Sequence, residues 1–244
     1  MASNNYFTAT DKFKFSCHAG LACFNTCCRD ISIFLTPYDV LRLKNQLKLT
    51  SDEFLQKYTH VIDTGPQRFP MIMINMMDQP DKRCPFVSAQ GCSVYQNRPW
   101  SCRIAPVDIK GENLYGFCFD EVRCHGLKEN REWTVKEWAE NQGVDLTQKI
   151  EQTFNEIPKQ LTFTGLASID RHIKDMFMMV CYNLDRFRDY IFKSNFIEVF
   201  NVPAATATTI KTDDLELMEF GFNWLVNGFN IRKSIELRDQ AFGG

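Results

Sequence analysis

Cysteine is the residue that most constrains how this chain can fold and what it can bind. Nine of its ten cysteines lie before residue 125, and only Cys181 lies in the second half of the 244-residue chain. Cysteines used merely as small apolar side chains would be spread more evenly. We therefore interpret Cys181 as a buried core residue and the other nine as candidate metal ligands: Cys17, Cys23, Cys27, Cys28, Cys84, Cys92, Cys102, Cys118 and Cys124.

The composition is typical of a folded protein of a reducing compartment. Hydrophobic residues make up 44% and charged residues 24% of the chain, which is enough apolar material for a core. The net charge of −2 provides no broad positive surface for nucleic acid or an anionic membrane. Neither a secretory leader nor an apolar stretch of membrane-spanning length is visible. We expect a cytoplasmic protein with reduced thiols, whose partner is a protein or a small-molecule substrate.

The spacing of the cysteines favours an iron–sulfur cluster over zinc. Structural zinc sites usually contain C-x2-C pairs, and this sequence has none. Iron–sulfur clusters accept more varied loops, because their irons are spread over a larger inorganic core. Nine cysteines also exceed the four thiolates that one tetrahedral metal or one cubane cluster needs, so we predict two centres or one multinuclear centre. Zinc is the alternative cofactor.

The adjacent pair Cys27 and Cys28 limits how these ligands can be arranged. In an extended chain, neighbouring side chains point in opposite directions. Either the two thiols reach different centres, or one binds metal while the other packs beside it.

Further candidates lie next to the cysteines. His18 and His125 are candidate ligands or partners of ligands. Arg98 and Arg103 flank Cys102 in "NRPWSCRIAP", and they are candidate cofactor-binding residues. A guanidinium can hydrogen-bond to cluster sulfurs or bind an anionic substrate.

The apolar pattern predicts a mainly α protein with a few short strands and a cysteine-rich, irregular module organised by metal. We assign residues 1–130 to that module and residues 131–244 to a helical region that packs on it. Helices are expected after the caps Thr36, Thr50 and Thr134, the last two with a Glu three residues on that completes a capping box.

The second half predicts longer helices. A single helix is expected over residues 168–193, capped by Ser168, and a last helix is expected from Asp213. Residues 201–212 read as a linker or extended loop. Glycines 221 and 228, seven residues apart, would share a helix face that another backbone approaches closely.

Two segments of the first half read as strands, residues 31–34 and residues 69–77. The second contains four methionines, whose thioethers suit copper. Their alternation with isoleucine favours core packing instead.

The cysteine motifs resemble a known family. "CxxxCC" followed by "LTPYDVLRL", and then "CPF…GCSVYQNRPWSCRIAP", resemble the YkgJ-type cysteine cluster proteins, a putative zinc- or iron-chelating domain, over about half of the chain. The resemblance implies metal binding by Cys23, Cys27, Cys28, Cys84, Cys92 and Cys102, with Cys17 in the same set. The five residues between Cys17 and Cys23 are more than that family usually has.

The resemblance also bears on activity. Related domains occur in flagellin lysine N-methylases, which by analogy alone implies S-adenosylmethionine as a cofactor and protein modification as an activity. The sequence itself contains no phosphate-binding loop, no H-E-x-x-H and no nucleophile elbow, so it predicts no catalytic residue. Two function classes stay open: an iron–sulfur protein with redox or group-transfer activity, and a zinc-stabilised interaction module without catalysis.

Overall fold

The computed structural model describes residues 6–144 and 148–227, which form short strands and mainly α-helical segments. Ten α-helices and nine strands lie within these described ranges. In chain order, they are β1 (Lys12–Lys14), β2 (Phe34–Leu35), α1 (Pro37–Leu47), α2 (Ser51–Tyr58), β3 (Thr59–Ile62), β4 (Met71–Ile74), β5 (Val87–Ser88), β6 (Gly91–Cys92), α3 (Trp100–Ile104), β7 (Val107–Gly111), β8 (Leu114–Phe117), β9 (Glu132–Thr134), α4 (Val135–Asn141), α5 (Gln148–Gln160), α6 (Ala167–Tyr182), α7 (Leu184–Lys193), α8 (Phe196–Val199), α9 (Ala204–Thr212) and α10 (Asp214–Val226). The prediction of a mainly α protein with a few short strands is confirmed.

The chain divides into two compact units. Unit 1 is formed from Met1–Asp39 and Met73–Thr147, and unit 2 from Val40–Ile72 and Gln148–Gly244. All nine clustered cysteines belong to unit 1, and Cys181 belongs to unit 2. The predicted division at residue 130 stays a prediction.

Unit 1 contains three small antiparallel pairs of strands. β1 pairs with β9, with Phe13 opposite Trp133. β5 pairs with β6, with Val87 opposite Cys92, and β7 pairs with β8. These short ladders leave much of the unit irregular, so its loops depend on other contacts for their shape.

The apolar core of unit 1 contains residues from both of the chain segments that form the unit. Phe13, Phe15, Ile104, Val107, Leu127, Trp133, Val135, Trp138 and Val144 form one buried cluster. The indole Nε1 of Trp133 donates to the Phe15 carbonyl at 2.9 Å, and that of Trp138 donates to the Ile104 carbonyl at 2.8 Å. Both indole nitrogens therefore keep a hydrogen-bond partner although the rings are buried. This apolar core stabilises unit 1 independently of its cysteines.

The core of unit 2 is built from aromatic side chains on several helices. Phe154 packs on Phe177 and Phe222, with ring centroids 6.0 and 5.7 Å apart. At Gly221 a Cβ atom would lie 2.6 Å from Val180 Cγ1 and 2.8 Å from a ring carbon of Phe187. Side chains of α6 and α7 therefore pack directly against Gly221, whereas the predicted approach of another backbone stays a prediction and Gly228 lies outside the described residues.

Unit 2 also buries a charged network. Lys44 on α1 is 4% exposed, and its Nζ lies 3.3 Å from Asp185 Oδ2 and 3.2 Å from Asp214 Oδ2. Asp214 also accepts from the Arg188 guanidinium. The three helices that carry these side chains are thus joined by one buried ammonium, which would be costly without its carboxylates.

Local helix signals proved accurate. α1 begins at Pro37, and the Thr36 hydroxyl and the Asp39 carboxylate exchange hydrogen bonds with each other's amides at 3.2 Å. Both predicted capping boxes, at Thr50 and at Thr134, are present. The strand predicted over residues 69–77 occurs in shortened form as β4. The strand predicted over residues 31–34 is displaced, because β2 shares only Phe34 with it.

The predicted single helix over residues 168–193 is wrong, because it is divided into α6 and α7 at Asn183. The Asn183 side chain accepts from the Arg186 amide at 3.1 Å, which caps α7. Its amide nitrogen donates to Asp52 Oδ1 at 2.6 Å. Ser168 does not cap α6, which begins one residue earlier at Ala167.

The prediction of a linker or extended loop over residues 201–212 is also wrong. Pro203 precedes a helix, α9, whose alanines favour helical backbone. The Thr208 hydroxyl donates to the Ala204 carbonyl at 2.8 Å, and Ile210 is fully buried. Tertiary burial of Ile210 therefore completes a helix whose sequence has only weak amphipathic character.

No helix in the described ranges is both long enough and apolar enough to cross a membrane.

We expect Lys44→Ala to destabilise the protein by about 3 kcal/mol, because it leaves two partly buried carboxylates without their ammonium. Lys193→Ala is the matched control: Lys193 pairs with Asp189 at 2.8 Å on the exposed surface, and its loss should cost less than about 0.5 kcal/mol. Urea unfolding of both variants measures the difference. Equal midpoints would contradict a stabilising role for the buried network.

The same network predicts sensitivity to acid. Burial raises the pKa of Asp185, but the hydrogen bonds from Ser51 and Lys44 together lower it by more than burial raises it. The pKa of Asp185 therefore lies below its ordinary value of 3.8. The pKa of Asp214 is lowered in the same way by Arg188 and Lys44. This stabilisation is therefore present above pH 3.8 and is lost as pH falls through the folded-state pKa values.

Wild-type stability should thus fall more steeply between about pH 4 and about pH 2 than that of Lys44→Ala. Urea midpoints measured across this range test the difference. Parallel pH profiles for the two proteins would contradict it.

Candidate metal centre

Backbone hydrogen bonds bring the first cysteine loop beside the second. Cys27 and Cys28 belong to the 3₁₀ helix Thr26–Cys28. At the end of this helix, the Cys84 amide donates to the Cys28 carbonyl at 2.8 Å. Two residues on, the Asp30 amide donates to the Lys82 carbonyl at 3.0 Å. Cys28 and Cys84 are therefore held next to each other although they lie 56 positions apart in the sequence.

A second set of contacts brings the first loop beside residues 124–126. The His125 amide donates to Cys23 Sγ at 3.2 Å. The Ser16 amide donates to the Gly126 carbonyl at 3.0 Å. A Cβ atom at Gly126 would lie only 2.7 Å from the Ser16 carbonyl oxygen, so this approach requires glycine. Cys17 and Cys23 thus lie near Cys124.

Cys92 is positioned by the β5–β6 hairpin. Val87 is opposite Cys92, and the Ser93 amide donates to the Phe86 carbonyl at 2.8 Å. Gly91 has φ of +115°, a conformation that favours glycine in this tight turn. The hairpin returns Cys92 towards Cys84.

Cys102 lies on the short helix α3, next to a buried carboxylate. The Trp100 amide donates to Asp39 Oδ1 at 2.9 Å, and Asp39 is 2% exposed. Asp39 is a site neighbour that sequence reasoning missed, because its only visible role was to start α1. Its charge adds to the effect of burial in raising the pKa of Cys102.

The predicted cofactor-binding arginines make mostly carbonyl contacts. Arg103 donates to the carbonyls of Arg98 at 3.1 Å and Gln142 at 2.8 Å, and to that of Gln96. Arg98 stacks 3.9 Å from the Tyr95 ring centroid and donates to the Tyr95 carbonyl at 2.7 Å. These contacts fix the loop before Cys102, and cofactor binding by Arg98 and Arg103 stays a prediction.

All ten cysteines are free thiols. Burial, together with the charges of Cys27, Cys124 and Cys23, raises the pKa of Cys17 to about 11. Burial also raises the pKa of Cys124, to which Cys23 and Cys27 add. These four neighbours are called set A: Cys17, Cys23, Cys27 and Cys124.

A second group of thiols shows the same mutual influence. Burial, together with the charge of Cys92, raises the pKa of Cys84 to about 11. Burial raises the pKa of Cys102, with Cys84 and Cys92 adding to it. The Cys27 hydrogen bond and burial raise the pKa of Cys28, to which Cys102 and Cys84 add. These four are called set B: Cys28, Cys84, Cys92 and Cys102.

The two sets meet at Cys27 and Cys28. The hydrogen bond from the Cys28 thiol, with a contribution from the Arg123 guanidinium, lowers the pKa of Cys27 to about 7 against the effect of burial. Cys27 is therefore the thiol most ready to become a thiolate at neutral pH. Arg123 is a second neighbour that sequence reasoning missed, and its position beside Cys124 was the available signal.

Cys118 and His18 have other partners. Cys118 Sγ donates to the Pro106 carbonyl at 3.0 Å. Burial of the sulfur, together with the charges of Asp108 and Cys124, raises the pKa of Cys118 to about 11. The His18 ring accepts from the Gly20 amide at 3.2 Å and lies 3.7 Å from Glu129 Oε2. The roles predicted for Cys118 and His18, like those of the other candidate ligands, stay predictions.

The donor chemistry fits a soft metal, although the side chains are not placed for coordination. In residues 6–144 and 148–227, no group of three or more His, Cys, Asp or Glu side chains could hold a metal ion as positioned. The thiols are nevertheless free and share one unit on loops fixed by hydrogen bonds. Rotation of cysteine side chains between staggered conformers would move their sulfurs without moving the backbone.

Comparison with known proteins identifies a family on the basis of the cysteine-rich segment. Neither the comparison with curated proteins nor that with solved structures gives a match. A family model does match, over residues 16–138, which is just over half of the 244 residues. That segment contains all nine candidate ligands and agrees with the resemblance to YkgJ-type cysteine cluster proteins. The chain therefore belongs to the CxxCxxCC family, described as a putative zinc- or iron-chelating domain.

Proposed function

We propose that this protein is a cytoplasmic metal-binding protein whose cysteines hold an iron–sulfur centre with a redox role. The observation that carries the proposal is that hydrogen bonds bring free cysteines from separate stretches of sequence side by side in unit 1, with Cys84 beside Cys28 and Cys23 beside His125. The family description, a zinc- or iron-chelating domain, supports metal binding but leaves the metal open.

Thiolates are the ligands preferred by iron–sulfur clusters and by zinc, and burial of several thiols without metal is unfavourable once they ionise. A metal cation reverses this effect, because it lowers the pKa of each thiol that it binds. Burial raises the pKa values of Cys17, Cys84 and Cys102, and a bound metal cation would lower them again.

The choice of iron rests on the ligand loops. The stretches between neighbouring cysteines vary in length, and none forms the C-x2-C turn on which structural zinc sites usually depend. An iron–sulfur cluster would supply one-electron transfer, with a potential set by burial and by hydrogen bonds to sulfur. The His125 amide, which donates to Cys23 Sγ, is such a hydrogen bond.

Positive side chains are available to offset the negative charge of a thiolate centre. The Arg98 guanidinium lowers the pKa of Cys17, Cys92 and Cys102 against the larger effect of burial. Arg123 acts on Cys27. In this proposal both arginines stabilise the ionised ligands through their charge.

A zinc-stabilised interaction module is the second candidate, since the family description includes zinc as well as iron. In that case, the metal would complete the folding of the irregular loops, and the protein would have no redox chemistry.

Purification from cells without oxygen separates these functions. We expect a brown protein with absorption near 400 nm and bound iron and sulfide, because thiolate-bound iron–sulfur clusters absorb visible light. Elemental analysis and the visible spectrum measure this. A colourless protein with stoichiometric zinc would contradict the iron–sulfur proposal and support the interaction module.

Cys27→Ser and Cys102→Ser should each lose half or more of the bound metal and lower the melting temperature, since serine is a poor ligand for soft metals. The control is Cys181→Ala: Cys181 is fully buried in unit 2, so its replacement should destabilise unit 2 while leaving the metal content unchanged. Metal content is measured by elemental analysis. Unchanged metal in both serine variants would remove these two residues from the ligand set.

A further inference from the structure

We propose that Arg29, Arg83 and Arg123 form a binding site for the phosphate group of a small-molecule ligand on the surface of unit 1. All three arginines belong to this unit, and Arg29 directly follows Cys28 of the first cysteine loop. The inference goes beyond the proposed metal-binding function and does not depend on a bound metal.

Arg29 and Arg83 lie directly opposite each other in an isolated antiparallel bridge. The backbone hydrogen bonds run between the residues that flank this pair, at 2.8 and 3.0 Å. Opposed residues between such bonds form the more closely spaced kind of antiparallel pair, and their side chains share one face. Like charges that oppose each other in this way destabilise the pairing, so a nearby anion would stabilise it.

Arg123 approaches the same pair from another segment of the chain. Its guanidinium donates to the Arg29 carbonyl at 3.1 Å and lies over the Phe119 ring, 4.9 Å from the centroid. Asp120 accepts from the backbone amide of Arg123 at 2.8 Å, and so it fixes the turn that presents this arginine. Three arginines from separate stretches of sequence therefore meet at Arg29.

One of the three arginines has a carboxylate partner. Arg29 Nη1 lies 3.0 Å from Asp81 Oδ2. Within the part of the chain that the structure describes, neither Arg83 nor Arg123 forms an ion pair with an Asp or Glu side chain. Two guanidiniums therefore remain available to an anion from solution.

The polar atoms of Arg83 are only partly satisfied. Its Nη2 donates to Gln79 Oε1 at 2.8 Å. Its Nε is buried and has no hydrogen-bond partner among the described residues. A charged group whose buried donor lacks a partner is costly, and a bound anion would offset part of this cost through its charge.

The backbone beside the arginine pair is strained. Asp30 has φ of 47° and Lys82 has φ of 40°, a region that residues with a side chain seldom adopt. The two side chains form an ion pair at 3.3 Å. Strained conformations of this kind cluster at ligand-binding sites, which agrees with a site at the adjoining arginines.

The charge of the unpaired guanidiniums favours phosphate over a carboxylate. A phosphate monoester carries a charge of about −1.5 to −2 at neutral pH and has three acceptor oxygens, whereas a carboxylate carries a single charge. Guanidinium groups also match phosphate oxygens with paired hydrogen bonds. The side chain of Arg29 is 46% exposed, so a ligand can reach the site from solvent.

Isothermal titration calorimetry of the full chain with inorganic phosphate tests the site, with ionic strength held constant by sodium chloride. We expect saturable binding of one phosphate per chain, with acetate weaker by about tenfold or more. Heats that do not saturate, or equal affinity for acetate, would overturn the proposal.

Arg83→Gln and Arg123→Gln should each weaken phosphate binding by about tenfold or more, because each removes a charged donor. Arg171→Gln is the matched control, since Arg171 is an exposed arginine of unit 2. Melting temperatures show whether the variants are folded. Unchanged affinity in both Arg83→Gln and Arg123→Gln, or an equal loss in Arg171→Gln, would contradict the assignment.

Protection of the wild type from phenylglyoxal, which modifies arginine, does not depend on the folding of any variant. Phosphate should slow the modification of Arg83 and Arg123 but not that of Arg171, as followed by mass spectrometry. Equal rates with and without phosphate at all three arginines would refute the site. Phosphate binding by a protein that purifies without iron or zinc would refute the metal proposal alone, and bound metal without phosphate binding would refute this inference alone.

Discussion

Hydrogen bonds between backbone segments that are distant in sequence determine where the cysteines of unit 1 lie. The Cys84 amide bonded to the Cys28 carbonyl and the Ser16 amide bonded to the Gly126 carbonyl join loops that have little regular structure of their own. Each bond contributes only about 1 kcal/mol to stability. Their larger effect is to fix the loops beforehand, so that less conformational entropy opposes the convergence of several thiols on one metal.

The apolar cluster of unit 1 supports the same arrangement. Phe15 lies two residues before Cys17, Ile104 lies two residues after Cys102, and Leu127 lies three residues after Cys124, and all three are buried in one core. Trp133 and Trp138 close this core and satisfy two carbonyls of the cysteine-bearing segments. The cysteine loops are thus anchored at their ends by hydrophobic burial and between their ends by hydrogen bonds.

Features that depend on neighbouring residues could be predicted from the sequence. The cap of α1 and the two capping boxes were correct, because Thr36, Thr50 and Thr134 act on amides three residues away. The break between α6 and α7 could not be predicted, since Asn183 is held by Asp52 from a distant helix. α9 was missed for a related reason, because burial of Ile210 offsets the low helix preference of its threonines.

The candidate site shows the same division between local and distant information. The clustering of nine cysteines along the chain identified them as candidate metal ligands. It left open whether the adjacent Cys27 and Cys28 both bind metal. It could not assign the thiols to sets, because that assignment depends on contacts such as that of Cys23 with His125, which are 102 residues apart. Asp39 and Arg123 affect the thiols through space, which no spacing rule reveals.

The isolated Cys181 has a practical consequence. It is completely buried on α6, and burial raises its pKa well above the ordinary value for a thiol. Since thiols react as thiolates, this sulfur is chemically silent while unit 2 is folded. The rate at which a thiol reagent modifies Cys181 would therefore report how often unit 2 opens.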